Sequence, residues 1–155
     1  MSAAISLKDL TVAYERRPAV HHITGCFEAG SLTAIVGPNG AGKSTLIKTI
    51  AGTMKPAAGK VDRGNLATRT LGYLPQAAEI DRSFPLSVAD TVAMGAWRSM
   101  GAFRGLGRDA AKRTRESLQA VGLEGFESRS IGSLSSGQFQ RVLFARLLLQ
   151  DAALI

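Results

Sequence analysis

The sequence predicts an α/β fold organised around one strand–turn–helix unit, and three observations carry that prediction. The first is the unit itself. The apolar run Ser31-Leu32-Thr33-Ala34-Ile35-Val36 lies between Gly30 and Gly37 and reads as a short buried strand. It leads into Gly37-Pro38-Asn39-Gly40-Ala41-Gly42-Lys43-Ser44-Thr45, after which Leu46, Ile47 and Ile50 recur at helical spacing up to Gly52, a C-cap residue. The second observation is that alternating stretches joined by short turns precede the unit, which favours an antiparallel β-subdomain. The third is a run of helical patterns broken by glycines over 77–133, which reads as an inserted helical subdomain.

Taken in order, Ile5 to Tyr14 alternates loosely through Ile5, Leu7, Leu10, Val12 and Tyr14 and is expected to be a strand. Glu15-Arg16-Arg17-Pro18 is a polar turn, Ala19 to Phe27 a second strand, and Glu28-Ala29-Gly30 the turn into the central unit. Beyond the helix, Pro56 and Gly59 mark a turn, Lys60-Val61-Asp62 a brief strand, and Arg69 to Leu74 a better strand leading into Pro75-Gln76. Ser87 with Asp90 three residues on resembles a capping box for a helix through about Ala96. Gly101, Gly105 and Gly107 interrupt the pattern. A second helix is expected from about Arg108 to Val121, with Ala111, Leu118 and Val121 on one side and Gly122 after it. Ser135 and Gln138 form another capping-box signature at the head of an apolar helix with Val142, Leu143, Phe144, Leu147 and Leu148.

The stretch Gly37 to Thr45 fits a phosphate-binding loop, and its chemistry explains each residue type. Polyphosphate is strongly hydrated, so a site must present many donors at once. Glycines at 37, 40 and 42 let the backbone wrap tightly and turn its N–H groups inward. The following helix N-terminus adds unpaired N–H groups and a partial positive charge. Lys43 supplies a full charge for the outer phosphates, and the Ser44 hydroxyl suits Mg²⁺. Three further candidates carry alternatives. Tyr14 suits either stacking on a purine or ordinary packing. Gln76, at a strand's end, can reach a metal's water and a partner, or be a plain surface glutamine. Ser135-Ser136-Gly137-Gln138 is either a second anion site or a simple helix cap. The pair His21-His22 tempts a metal reading, but neighbouring strand residues point to opposite faces and are not expected to share an ion.

Composition narrows the classes. With 155 residues and 45% hydrophobic content, the chain is about one domain with a real core. No apolar run approaches the roughly 20 residues of a membrane span, and the first residues lack a secretory pattern. One cysteine, Cys26, excludes an internal disulfide, and no Cys/His cluster has zinc spacing. A cytoplasmic protein is expected. The net charge of +7 raises a nucleic-acid hypothesis, yet the basic residues are dispersed and aromatics are only 6%. The densest basic group is Arg98, Arg104, Arg108, Lys112, Arg113 and Arg115. Its last four members alternate with Asp109 and Glu116, so a solvated helix face is expected, with contact to anionic lipid as the second reading.

Together, GPNGAGKST at 37–45, YLPQ at 73–76 and LSSGQFQR at 134–141 resemble the motifs of ATP-binding-cassette (ABC) ATPases in order and spacing. The resemblance covers the whole chain. It implies a P-loop NTPase fold with an N-terminal antiparallel β-subdomain and inserted helical subdomain, ATP and Mg²⁺ as cofactors, and ATPase activity. On it, 1–155 is one partial cassette: 1–76 the β-subdomain and loop core, 77–133 the helical subdomain, and 134–155 the signature helix with the start of a further strand. It makes Tyr14 the adenine-stacking aromatic, and gives Gln76 contact with Mg²⁺ and the attacking water. Ser135-Ser136-Gly137-Gln138 would bind the γ-phosphate of ATP held by a second copy in a head-to-tail homodimer.

The stretch Asp81-Arg82-Ser83-Phe84-Pro85-Leu86-Ser87-Val88 resembles the subgroup serving zinc and manganese uptake, and Pro18-Ala19-Val20-His21-His22 leans towards zinc. The implied partners are a membrane permease, met through Phe84 to Trp97, and indirectly a metal-binding protein, but no nucleic acid. The implied location is the cytoplasmic face of the cell or inner membrane. Alternatives are a non-hydrolysing nucleotide-binding module or fragment, an importer ATPase for haem, siderophore or cobalamin, and a soluble ABC protein acting on DNA or ribosomes.

Two positions depart from the family pattern. Ser136 stands where the signature carries glycine, and its added Cβ and hydroxyl could hinder a phosphate or donate to it. Asp151-Ala152-Ala153-Leu154-Ile155 reads as the beginning of a buried strand whose carboxylates, in the family, hold Mg²⁺ and orient the attacking water. Those carboxylates are not among these 155 residues, which by themselves are expected to turn over ATP at or near background.

Overall fold

A computed structural model describes residues 3–14, 17–64, 71–97 and 108–155, which form two compact units, 1–71 and 72–155. The first unit holds the expected antiparallel strands, β1 (Ala3–Tyr14), β2 (Arg17–Glu28) and β3 (Ala58–Asp62), in the order β2-β1-β3. Ala3 pairs with Glu28 and Tyr14 with Arg17 across the hairpin, while Ser6 pairs with Asp62 on the other edge. Strict alternation would put Leu7 and Leu10 on opposite faces, yet both are buried, with Ile5 and Val12. The reason is a bulge between them in which Asp9 has φ 50°. A second bulge, on β2, gives His22 φ 48°, and the two residues face each other with His22 Nδ1 2.7 Å from Asp9 Oδ1. The expectation that His21 and His22 point apart is therefore corrected. Left-handed backbone at His22 breaks the alternation, and the two rings stack with centroids 6.4 Å apart. Among the described residues, no group of three or more His, Cys, Asp or Glu can hold a metal ion.

Helix α1 (Lys43–Ala51) lies against β1 and β2, and its Thr45 and Thr49 are buried. Gly52 ends it in the left-handed C-cap conformation that the sequence predicts. The strand expected at Ser31–Val36 is not formed. The segment is irregular, Leu32 is fully exposed and Val36 nearly so, and no strand of the described residues pairs with it. An apolar run is compatible with a ladder but cannot make one without neighbours. The strand expected over Arg69 to Leu74 is likewise absent from 71–74 apart from a single bridge residue, Leu71; Arg69 and Thr70 lie outside the described residues. Near the end of the chain, Leu154 is a single bridge residue, and its carbonyl accepts from Gly72 N–H at 2.7 Å.

The second unit is helical: α2 (Val88–Ala93), α3 (Arg108–Ala120) and α4 (Ser136–Leu149), with short 3₁₀ turns at Ala77–Glu79, Met94–Ala96 and Ile131–Ser133. The capping box expected at Ser87 is present, with Asp90 N–H donating to Ser87 Oγ at 3.1 Å. One core gathers Val88, Val92, Leu118, Leu123, Ile131, Phe139, Val142 and Leu143. The inward face of α3 keeps the expected Leu118, with Val121 packed against the core just beyond the helix, but not the expected Ala111. Ala110, Thr114, Ser117 and Leu118 are buried, Ala111 is exposed and Val121 half-buried, because the helix turns its small and hydroxyl side chains to its neighbours. Its outward face is charged as expected, with Lys112 and Arg115 exposed and Lys112 3.8 Å from Glu116. Arg98 and Arg104 lie outside the described residues. On α4, Phe139, Val142, Leu143 and Leu147 are buried, whereas Phe144 and Leu148 are largely exposed. No helix of the described residues is long and apolar enough to cross a membrane.

The crossing of α2's continuation with α4 depends on Gly95, where a Cβ would run into the Arg146 carbonyl oxygen and come within 3.3 Å of Leu149 Cβ. Replacing a glycine by alanine without conformational conflict stabilises by about 0.4–1 kcal/mol. Here the backbone obstacle reverses the sign, and Gly95→Ala is expected to destabilise by about 1–3 kcal/mol in urea unfolding. Gly25→Ala, where a Cβ would meet nothing within 4 Å, is expected to change stability by no more than about 0.5 kcal/mol. A Gly95→Ala protein as stable as the parent would contradict the close crossing.

Candidate functional site

The first group of predicted site residues comes together in the first unit. Gly40 and Gly42 have φ 83° and 84°, values open to glycine with little strain, and these turn the chain sharply into α1. Gly42 also lies against β2, so closely that a Cβ there would strike the Ala19 carbonyl oxygen and sit 2.8 Å from Val20 Cγ2. The strand thus holds the base of the loop, and Ala41 N–H donating to Pro38 C=O at 3.3 Å closes its tip.

At the head of α1 the N-cap is Gly42, with no side-chain hydrogen bond to the first turn. Leu46 N–H is the first to find a carbonyl one turn back, Gly42 C=O at 2.9 Å. The N–H groups of Lys43, Ser44 and Thr45 therefore have no carbonyl inside the helix to receive them. The opposite end is closed: Arg63 Nε donates to Ile50 C=O at 2.9 Å and Nη2 to Thr49 C=O at 3.0 Å. The helix dipole is answered at its negative end and left open at its positive end.

Lys43 reinforces that imbalance. Its Nζ folds back to donate to the carbonyls of Gly37, at 2.8 Å, and Pro38, at 2.7 Å. It forms no ion pair among the described residues. Dipolar carbonyls satisfy the ammonium's hydrogen bonds without neutralising its charge. Ser44 is exposed at the same helix end, as are Pro38, Asn39 and Ala41. Such a cluster of free amides, one ammonium and one hydroxyl suits a polyanion and its counter-cation. The side chain of Tyr14 lies outside the described residues, though its backbone pairs with Arg17 at the hairpin end.

The second group lies in the second unit. Gln76 is exposed, in extended conformation (φ −65°, ψ 139°), at the head of the 3₁₀ turn Ala77–Glu79. It is held there from behind, since Tyr73, Leu74 and Pro75 line a narrow cleft with Leu143, Arg146, Leu147 and Gln150 of α4. At the head of α4 the capping box is complete: Gln138 N–H donates to Ser135 Oγ at 3.2 Å, and Ser135 N–H donates to Gln138 Oε1 at 3.0 Å. With Phe139 N–H bonded to Ser135 C=O at 2.9 Å, the uncommitted donors of this first turn are the amides of Ser136 and Gly137, both exposed. A Cβ at Gly137 would meet nothing within 4 Å. The cap and two outward amides coexist at this helix end.

Sequence reasoning missed two arginines. Arg63 closes α1, and Arg82 donates to the carbonyls of Ile131 and Leu134 just before Ser135. Only the Asp81-Arg82-Ser83 turn pattern hinted that residue 82 was fixed. Asp81 Oδ1 accepts from Ser83 Oγ–H at 2.7 Å and from Ser83 N–H at 2.9 Å, and these bonds, the hydroxyl's first, hold its carboxyl below the ordinary aspartate range. Phe84 and Trp97, the ends of the expected contact surface, are each 61% exposed.

Comparison with known proteins places these features in context. The family model described as ABC transporter matches residues 20–155. The zinc transport system ATP-binding protein TroB of Treponema pallidum is 41% identical, over 97% of this chain and 58% of its own length. The manganese transport system ATP-binding protein MntB of Listeria monocytogenes is 38% identical, over 96% of this chain and 63% of its own. Among solved structures, an ABC transporter described as of metal-chelate type, in an inward-facing conformation, superposes with TM-score 0.81 and 28% identity. That match covers 97% of this chain and 57% of the other. The chain thus spans about three fifths of the length of the curated relatives it matches.

The Ser135 cap makes a direct prediction. Ser135→Ala is expected to cost about 1 kcal/mol in urea unfolding, and Ser135→Asp, which keeps an acceptor for Gln138 N–H, to stay within about 0.5 kcal/mol of the parent. A Ser135→Ala protein with an unchanged midpoint would mean that the box does not hold the helix end.

Proposed function

Because the chain belongs to the ABC transporter family, we propose that it is the ATP-binding part of an importer in which ATP binding and hydrolysis drive uptake of a metal ion through a membrane permease. The observation that carries this reading is the head of α1, where three unpaired amides and the Lys43 ammonium converge beside the exposed Ser44. On it, the Lys43 ammonium leaves the carbonyls of Gly37 and Pro38 for the outer phosphates of ATP, which return a full negative charge for two dipoles. Residues Gly37 to Thr45 bind the polyphosphate chain, and Tyr14 stacks on the adenine. Mg²⁺, when bound, neutralises charge on the phosphates, and the Ser44 hydroxyl would hold it.

The amides of Ser136 and Gly137, with Ser135 and Gln138, then meet the γ-phosphate of ATP carried by a second copy. In this head-to-tail pair, nucleotide is the adhesive. The Phe84 to Trp97 segment docks on the permease through its exposed Phe84, Pro85 and Trp97, at the cytoplasmic face of the membrane, with a metal-binding protein acting indirectly. In this division, 1–76 bind nucleotide, 77–133 meet the permease and 134–155 carry the signature. Zinc or manganese is the cargo this reading favours, since relatives bear zinc and manganese transport names.

Calorimetry with Mg-ATP tests it. The parent protein is expected to bind, and Lys43→Ala to bind roughly 10–100-fold more weakly, the equivalent of losing one or two charge-assisted hydrogen bonds. Equal affinity in the two proteins, or no binding by the folded parent, would contradict the assignment.

A further inference from the structure

The outward amides of Ser136 and Gly137 can serve a partner's phosphate only if the first turn of α4 is held at a fixed angle. The chain enters that turn through the 3₁₀ turn Ile131–Ser133 and the extended residue Leu134 (φ −81°, ψ 147°). Ile131 and Leu134 share the buried core with Phe139, but among the described residues neither segment provides a side-chain hydrogen bond from the loop to the helix. One guanidinium from elsewhere bridges the two. Arg82 Nε and Nη2 donate to Ile131 C=O at 3.3 and 3.2 Å, and Nη2 also donates to Leu134 C=O. The same guanidinium lies over the ring of Phe139, 4.9 Å from its centroid, and Phe139 is fully buried in the first turn of α4. Arg82 therefore grips the residues on both sides of Ser135.

The grip is itself fixed. The Asp81–Ser83 hydrogen bonds set the turn that carries Arg82, and Gly132 lies so near that an added Cβ would be 3.0 Å from the Arg82 carbonyl oxygen. Further along, Ile131 N–H donates to Leu86 C=O at 3.0 Å, Val88 N–H to Arg129 C=O at 2.9 Å, and Ser87 and Ser130 form an antiparallel bridge. Residues 81–88 thus run strapped along 127–134, with exposed Phe84 and Pro85 on the same short segment as Arg82. Lysine could not reproduce the contact, because it lacks the planar fork that reaches two carbonyls while lying over a ring.

We propose that Arg82 is the positioning residue that aims the Ser135–Gln138 helix end at the nucleotide of a second copy, and that it links this end to the exposed Phe84–Pro85 segment. The proposal rests on the nucleotide-bridged pairing described above. Its test uses Arg82→Met, which keeps the stem and loses the donors, and Arg82→Lys, which keeps one charged donor. Three quantities are read on each protein: Mg-ATP affinity by calorimetry, ATP-dependent self-association by sedimentation, and exchange of the Ser135, Gln138 and Phe139 amides. In Arg82→Met, Mg-ATP affinity is expected to stay within about two-fold while self-association weakens about ten-fold or more, the scale of one charge-assisted hydrogen bond. The three amides should exchange faster while Val142 to Leu149 stay protected.

Arg82→Lys should fall between parent and Arg82→Met in association, and it decides the matter if Arg82→Met does not fold. Association equal to the parent's in the folded variants would overturn the positioning role, as would unchanged amide exchange. A parent that binds Mg-ATP but never associates would instead overturn the pairing itself, and this role with it.

Discussion

The constraint on which the first unit depends is the unanswered positive charge at the head of α1. A helix end with three unreceived amides gains from any anion, and a folded chain normally closes such an end with a serine, threonine or aspartate cap. Here the cap position is Gly42, pressed so tightly against the Ala19 carbonyl that no side chain fits. The lysine next in sequence adds charge where a cap would have removed it, and it rests on the carbonyls of Gly37 and Pro38. Meanwhile Arg63 closes the other end of the helix. Packing thus maintains an electrostatic deficit of the kind that suits a phosphate chain.

The second unit solves a different problem with the same element. Helix α4 begins with a complete capping box, so the anion-binding capacity of its head is reduced to the two amides of Ser136 and Gly137. A weak site of this kind depends on aim more than on charge. That is why the Arg82 contacts to Ile131, Leu134 and Phe139 carry so much of the functional account, and why the dense core around Phe139 and Leu143 matters to it. The Tyr73–Pro75 segment that presents Gln76 leans on the same helix. Helix α4 is therefore a common support for both candidate segments of this unit, Tyr73–Gln76 and Ser135–Gln138.

Much of this was legible in the sequence because it is local. Caps at Ser87, Ser135 and Gly52 follow from residue types three or four positions apart, and the glycine loop with Lys43 follows from one contiguous stretch. The α/β class, with its antiparallel hairpin and helical second part, was legible for the same reason. What failed was non-local. The run Ser31–Val36 reads as a strand because it is apolar, but a strand needs neighbours, and none of the described strands supplies them. The loose alternation at Leu7 and Leu10 reads as a plain strand although a bulge at Asp9 lies between them, and nothing in the sequence marks the bulge at His22 that brings two histidine rings together. Arg63 and Arg82 act on carbonyls at least 13 residues away, a distance at which sequence pattern carries no signal.

The central claim is that the loop from Gly37 to Thr45 is already shaped for polyphosphate, with Lys43 held in reserve. Amide NMR of the protein titrated with Mg-ATP, and separately with tripolyphosphate, tests it most directly. The account predicts that both ligands shift the amides of Gly40 to Thr45 first, while those of β1 and β3 stay in place. Binding that leaves Gly40 to Thr45 unmoved, or that requires β1 and β3 to rearrange, would contradict it.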